Sequence, residues 1–129
     1  MLRTLVGGKI QRVKVTGKSV NYNGSVSICR DLMRRAGILP FERVDIVNLA
    51  NAHRWTTYAI EAESGVFTLN GGGARLGELG DKCVIMTYVQ AEAFTGAPVV
   101  YCDENNGVDR AFDYEPSVPG GDPVHYEVR

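Results

Sequence analysis

The sequence predicts a mainly β fold in which short strands close into a small barrel. Three observations favour this fold class. Apolar and polar residues alternate in several short runs, as they do in half-buried strands. Helical periodicity is confined to one or two short segments, and strands do not alternate with long helices as in an open α/β sheet. The chain has 129 residues, which is enough for one domain with its own core.

The first predicted elements lie before residue 37. Alternation over residues 10–15 predicts a strand, and residues 17–24 are rich in turn formers. Residues 25–28 alternate again and predict a second, shorter strand. Residues 31–36 predict a short helix that ends at Gly37.

The remainder of the chain contains five further predicted strands. They cover residues 43–49, 55–60, 66–69, 82–89 and 98–102. Residues 50–53 connect the first two as a hairpin, and residues 70–73 form a flexible glycine loop after the third. Residues 113–129 carry several prolines and glycines without a periodic apolar face, so we expect a flexible C-terminal tail after a domain of residues 1–112.

Composition narrows the classes of function. The net charge of −1 gives no general attraction to nucleic acid or acidic lipid, so neither partner is expected. No apolar run approaches the roughly 18 residues of a membrane helix, and the apolar run at the N-terminus is too short for a signal peptide. We therefore expect a cytoplasmic protein. Three cysteines without CxxC spacing and two distant histidines predict neither a disulfide framework nor a metal site.

The tripeptide Asn23-Gly24-Ser25 has more than one interpretation. Asn-Gly is a hairpin turn signal because both residues tolerate a positive φ, and N-x-S is also a glycosylation sequon. A third interpretation is autocatalysis, in which the serine hydroxyl attacks the carbonyl of the preceding glycine. The resulting ester can eliminate to dehydroalanine and hydrolyse to a pyruvoyl group and ammonia. Glycine suits this step because it lacks a Cβ that would block the approach.

The surrounding segments favour the third interpretation, because they occur in the order and near the spacing of one family. Residues 1–106 resemble the pyruvoyl-dependent aspartate 1-decarboxylase family. The matching segments are KIQRVKVT at 9–16, YNGSVSI at 22–28, AGIL at 36–39, ERVDIVN at 42–48, NAHRWTTYAI at 51–60, ESG at 63–65, NGGGA at 70–74 and GDKCVI at 80–85.

The resemblance implies a fold, a reaction and a cofactor. The family fold is a six-stranded double-psi β-barrel with short helices, and its members are homotetramers with active sites between subunits. The implied enzyme is a carboxy-lyase that converts L-aspartate to β-alanine and CO2 for pantothenate and coenzyme A biosynthesis. Its cofactor is a pyruvoyl group made from Ser25, which forms a Schiff base with the substrate amine, and it needs neither a metal nor pyridoxal phosphate.

The resemblance also implies four catalytic residues. Gly24 and Ser25 match the cleavage site, so that Ser25 becomes the pyruvoyl group. Thr57 matches the hydroxyl residue that assists cleavage and contacts substrate, and Tyr58 matches the proton donor. Without the resemblance, a half-buried strand threonine and a cross-strand aromatic are the ordinary interpretations of these two positions.

Six further residues match the substrate pocket. Arg54 and Lys9 match the cations that bind the substrate carboxylates, which on the residues alone are ordinary strand-edge cations. The other four matches are Tyr22, Asn70, Gly72 and Gly73. The two glycines replace small residues whose backbone N–H groups face the substrate.

The chain departs from the family pattern at Gln11, where members usually carry histidine. This departure motivates a second hypothesis, a pyruvoyl-dependent decarboxylase of another small amino acid such as glutamate or a substituted aspartate. A third hypothesis is an uncleaved barrel that serves as a binding or structural module. Whether cleavage requires a maturation partner stays open.

Overall fold

A computed structural model of the chain describes residues 1–116, and it is mainly β as predicted. Nine strands form one sheet in the order β2-β6-β3-β5-β4-β7-β1-β8-β9. The strands are β1 (Arg3–Lys14), β2 (Gly17–Ser19), β3 (Ser25–Cys29), β4 (Arg43–Asn48), β5 (Arg54–Ala62), β6 (Phe67–Asn70), β7 (Lys82–Ala91), β8 (Ala97–Cys102) and β9 (Val108–Tyr114). The two short helices of this region are α1 (Arg30–Ala36) and the 3-10 helix η1 (Gly71–Leu76).

Hydrogen bonds outside the strand pairings join two parts of the sheet that are distant in the strand order. After β1, the backbone N–H of Thr16 donates to the carbonyl of Phe67 in β6 at 2.8 Å, and its hydroxyl accepts from the Phe67 N–H at 2.9 Å. These bonds connect the end of β1, seventh in the strand order, with β6, which is second in that order. The arrangement is consistent with a β-barrel, whereas the six-stranded double-psi topology stays a prediction.

One apolar core lies inside the sheet and is covered by α1. Its largest fully buried side chains include Phe67, Ile10, Ile28 and Leu32. Fully burying side chains of this size stabilises a fold by about 1.5–3 kcal/mol each relative to exposure. All three cysteines are free and buried, and burial raises the pKa of the Cys83 and Cys102 thiols to about 12.

Strand β1 begins seven residues earlier than the alternation predicts, because it runs through a Gly7-Gly8 pair. A Cβ at Gly8 would lie 2.0 Å from the carbonyl oxygen of Ala36, at the end of α1. Glycine is therefore needed here so that the helix can approach the strand. The predicted end of α1 is confirmed, since Gly37 caps the helix at φ 70°.

Three predicted segments differ from the structure. The turn-rich segment contains the short strand β2, which pairs with β6. The predicted flexible glycine loop is ordered instead, because Asn70 ends β6 and η1 follows at once. Strand β9 was not predicted, and it includes Asp113 and Tyr114, the first two residues of the expected tail. The rest of that tail, from residue 117, lies outside the described residues, and the boundary at residue 112 stays a prediction.

Among residues 1–116, no helix has the length and apolar character needed to span a membrane. The same part of the chain contains no group of three or more His, Cys, Asp or Glu side chains placed to hold a metal ion.

Candidate active site

Ser25 is the first residue of β3, and it is buried with only 2% of its surface exposed. In the antiparallel pairing of β3 with β6, Ser25 lies opposite Asn70. The Asn70 side-chain amide donates to Ser25 Oγ at 3.1 Å and to Ser27 Oγ at 3.0 Å. Ser25 Oγ in turn donates to the carbonyl of Asn23 at 3.2 Å. The Ser25 hydroxyl is therefore held beside the Asn23–Gly24 peptide.

A close contact between two glycines holds the Gly24–Ser25 junction from the other side. Gly71, the first residue of η1, has φ +67°, and a Cβ there would lie 2.7 Å from Gly24 Cα and 2.9 Å from Gly24 N. Both the positive φ and the contact require glycine. Gly24 itself is open, since a Cβ added to it would meet nothing within 4 Å.

Helix η1 is fixed in place at its other end by a buried amide. The Asn48 side chain is fully buried, and it donates to the Leu76 carbonyl at 3.0 Å and to Asp81 Oδ2 at 2.9 Å. The Asn48 bond, assisted by the N–H of Glu78, lowers the pKa of Asp81. This anchor keeps Gly71 against the junction.

Thr57 and Tyr58 lie on β5, the strand that runs parallel to β3. The first paired residues of the two strands are Val26 and Ala59, so Ser25 and Tyr58 each stand one position before this pair. The Tyr58 ring is half-buried and stacks on Phe41 with centroids 6.0 Å apart. Register therefore brings the predicted proton donor to the same end of the strand pair as Ser25.

The two predicted carboxylate-binding cations lie elsewhere in the sheet. Lys9 is on β1, which β5, β4 and β7 separate from β3 in the sheet order. Its Nζ donates to Tyr114 Oη at 3.2 Å and lies 5.5 Å from the centre of that ring. Arg54 begins β5, and its Nη2 donates to Asp45 Oδ2 at 3.2 Å and to Tyr88 Oη at 3.0 Å. No hydrogen bond or ion pair described for residues 1–116 joins either cation to Ser25.

The remaining predicted pocket residues surround the glycine contact. Tyr22 is 54% exposed, and its carbonyl oxygen lies beside Gly71, where it would be 3.1 Å from an added Cβ. Gly72 is exposed, and an added Cβ would meet nothing there within 4 Å. Gly73 packs under the Trp55 indole, whose Nε1 would lie 2.8 Å from a Cβ. Of the two pocket glycines Gly72 and Gly73, only Gly72 therefore has room for a side chain.

Sequence reasoning missed Gly71, Asp45 and Tyr88. Gly71 was noticed only as part of a glycine run, where nothing marks the one glycine that must adopt a positive φ. A signal for Asp45 did exist, because the predicted hairpin joins its strand to the strand of Arg54, and in the structure Asp45 pairs with Thr56, two residues after Arg54. Tyr88 comes from β7, which is distant in sequence, and no local pattern links it to Arg54.

Fold and site together define a mainly β protein in which a buried serine, at a glycine–serine junction, is held by an asparagine from the neighbouring strand. The sequence model of a family described as "Aspartate decarboxylase" matches residues 1–109. The chain belongs to the aspartate decarboxylase family, as the resemblance indicated.

Curated relatives agree with the family match. An aspartate 1-decarboxylase of Neisseria meningitidis is 45% identical over 122 residues, covering 90% of this chain and 96% of the relative. One of Campylobacter jejuni is 45% identical over 117 residues, covering 87% and 93%. One of Trichormus variabilis is 43% identical over 121 residues, covering 88% and 95%. The chain thus spans nearly the whole length of the relatives that it matches.

Proposed function

We propose that this chain is a carboxy-lyase that converts L-aspartate to β-alanine and CO2, in the context of pantothenate biosynthesis. The observation that carries the proposal is the buried Ser25 hydroxyl, held by Asn70 beside an open Gly24. Family membership and the names of the relatives support the reaction and the substrate.

The residues at the junction fit the formation of a pyruvoyl group. Ser25 Oγ attacks the Gly24 carbonyl carbon, the Gly24–Ser25 C–N bond breaks, and the hydroxyl proton passes to the nitrogen. The ester then opens as Ser25 loses its Hα and the Cβ–Oγ bond breaks, leaving Oγ in the new Gly24 carboxylate. Addition of water and release of ammonia complete the ketone at position 25. Thr57 polarises the attacked carbonyl, and glycine at position 24 leaves its face open.

In the decarboxylation, the pyruvoyl group supplies the electron sink, and the residues of the chain bind substrate and move a proton. Arg54 and Lys9 bind the two carboxylates of aspartate and hold the molecule in one orientation. The Tyr58 hydroxyl delivers its proton to the former α-carbon. Phe41, stacked on Tyr58, limits the positions of that ring. Tyr22, Asn70 and the backbone of Gly72 and Gly73 complete the pocket.

The active enzyme is proposed to be a homotetramer with its sites between subunits. The family resemblance implies this assembly, and no hydrogen bond or ion pair described for residues 1–116 joins Lys9 to Ser25, so a second subunit can supply the cation. A cytoplasmic location and the action of a maturation partner stay predictions. No observation favours another substrate acid. Gln11 lies opposite Tyr101 of β8.

An intact-mass measurement on the purified protein tests the proposal. Two species, residues 1–24 and residues 25–129 with a blocked N-terminus, are expected, together with CO2 release from aspartate. Ser25→Ala should stay at full length and be inactive. Tyr58→Phe is the matched control: it should cleave normally but lose most of its turnover, since general acid–base catalysis contributes about 10²–10⁴-fold. Decarboxylation by Ser25→Ala contradicts the proposal.

A further inference from the structure

We propose that Asp45 and Tyr88 are positioning residues for Arg54, and that they turn its Nη1 toward a substrate carboxylate. The inference rests on the proposed function, in which Arg54 binds that carboxylate. Neither Asp45 nor Tyr88 touches the glycine–serine junction in any described hydrogen bond, so their effect would be on substrate binding and not on chain cleavage.

The three side chains form a closed triangle of hydrogen bonds. Arg54 Nη2 donates to Asp45 Oδ2 at 3.2 Å and to Tyr88 Oη at 3.0 Å, and Tyr88 Oη donates to the same Asp45 oxygen at 3.1 Å. Both hydrogens of Nη2 are therefore used. Because a guanidinium is planar, fixing Nη2 at two points also fixes the direction of the Nη1 hydrogens.

The triangle is anchored on three neighbouring strands. Arg54 is on β5, Asp45 on β4 and Tyr88 on β7, and these strands are adjacent in the order β5-β4-β7. Thr56 Oγ1 donates to the other oxygen of Asp45 at 2.7 Å, so both carboxylate oxygens are held. The Thr56 bond, with further bonds from Arg54 and Tyr88, lowers the pKa of Asp45 and keeps it charged.

The exposures of the partners distinguish this arrangement from an ordinary surface ion pair. The Asp45 side chain is 18% exposed, whereas the Arg54 side chain is 54% exposed. The Asp45 carboxylate is thus held in place within the sheet, and the Arg54 guanidinium extends from it into open space. A lone surface ion pair contributes little and fixes little, whereas a shared hydrogen-bond network fixes the direction of the guanidinium.

The test uses the mature protein, which contains both fragments after cleavage at Gly24, and measures KM and kcat separately. Asp45→Asn removes the negative charge beside the guanidinium and should raise KM for aspartate about tenfold. Tyr88→Phe removes one hydroxyl but leaves that charge in place, so it should raise KM about threefold. In both variants, kcat should stay within about twofold of the parent, and cleavage at Gly24 should be complete. Asp45→Glu, which keeps the charge, should recover part of the loss.

Glu61→Gln is the matched control, because it neutralises an exposed carboxylate on the same strand β5 without a described contact to Arg54. It should leave KM unchanged. A KM that stays at the parental value in both Asp45→Asn and Tyr88→Phe overturns the inference. So does an equal fall in kcat and thermal stability without a change in KM, since that is the signature of a merely structural role.

Arg54→Lys separates this inference from the proposed function. If Arg54→Lys raises KM but the Asp45 and Tyr88 variants do not, Arg54 binds substrate without them and only the positioning is wrong. If Arg54→Lys leaves KM unchanged, the proposed role of Arg54 fails and the positioning fails with it. In the double variant Arg54→Lys with Tyr88→Phe, the two effects should not add, because they act through one guanidinium.

Discussion

The glycine–serine junction and the two cations Lys9 and Arg54 differ in how they are held. At the junction, Ser25 and Asn70 are buried and neutral, and they face each other as paired residues of adjacent strands. The cations have long side chains, and each is steadied by a tyrosine hydroxyl, at 3.2 Å for Lys9 and 3.0 Å for Arg54. The first region depends on steric fit and the second on charge.

This difference separates two kinds of expected effect. A change at the junction alters the position of a reacting atom, so it should change the rate of cleavage steeply. A change near the cations loosens a charged group that remains present, so it should change substrate affinity only modestly. If the two regions act separately, substitutions at the junction should alter cleavage, and substitutions near the cations should alter KM.

Gly71→Ala should have the largest effect. Its Cβ would lie 2.7 Å from Gly24 Cα at a φ of +67°, so the left-handed conformation and the contact are both strained. The two costs, about 1–2 and 1–3 kcal/mol, predict cleavage slower by about 100-fold. The fraction of full-length chain over time, read by mass spectrometry, measures this rate.

Gly72→Ala is the control for that variant, because the next residue along η1 has open space where the new Cβ would stand. It should cleave at close to the parental rate. Equal rates for the two alanine variants contradict the steric role of the Gly71–Gly24 contact.

Asn70→Asp should have the next largest effect. It keeps the shape of the side chain but removes the amide donor that holds Ser25 Oγ at 3.1 Å. Loss of a buried hydrogen bond of about 1–1.5 kcal/mol predicts cleavage slower by about tenfold. Ser27→Ala removes only the second acceptor of the same amide, so the chain should be cleaved at a nearly normal rate. Slow cleavage of Ser27→Ala would contradict the role given to the Asn70–Ser25 hydrogen bond.

Tyr114→Phe should have the smallest effect, and on the other region. It removes the hydroxyl that accepts from Lys9 Nζ but keeps the ring beneath the ammonium. We expect KM for aspartate to rise about threefold with cleavage unchanged, as for loss of one partly exposed hydrogen bond. Tyr101→Phe, on the neighbouring strand β8, is the control and should leave KM unchanged. Slower cleavage in Tyr114→Phe would show that the two regions are coupled.

Much of the fold could be predicted from local patterns. Strands β3, β4 and β5 and helix α1 follow from alternation, from a hairpin and from Gly37 at the helix end. Two parts were not predicted, for different reasons. The Gly7-Gly8 pair would normally interrupt a strand, but Gly8 admits the end of α1. Strand β9 follows β8 after residues 103–107 and pairs with it as a hairpin, so its partner is near in sequence.

From the residues alone, the candidate site could be predicted only where its chemistry lies in neighbouring residues, and the other site residues were named through the family resemblance. Gly24 and Ser25 could be named because the attacking hydroxyl and the attacked carbonyl are adjacent in sequence. The partnership of Ser25 with Asn70 depends on the register of β3 and β6, and the triangle around Arg54 needs β7 beside β4. Contacts between strands distant in the chain leave no periodic signal in the sequence.

The position of Gly24–Ser25 in the sheet has a consequence for how the molecule stays together. Strand β1 pairs with both β7 and β8, and β2 pairs with β6. All these partners lie after residue 25, so a break in the covalent chain at the junction interrupts no strand pairing. The severed N-terminal piece would remain as the strand between β7 and β8, and one gene product would persist as two interlocked polypeptides.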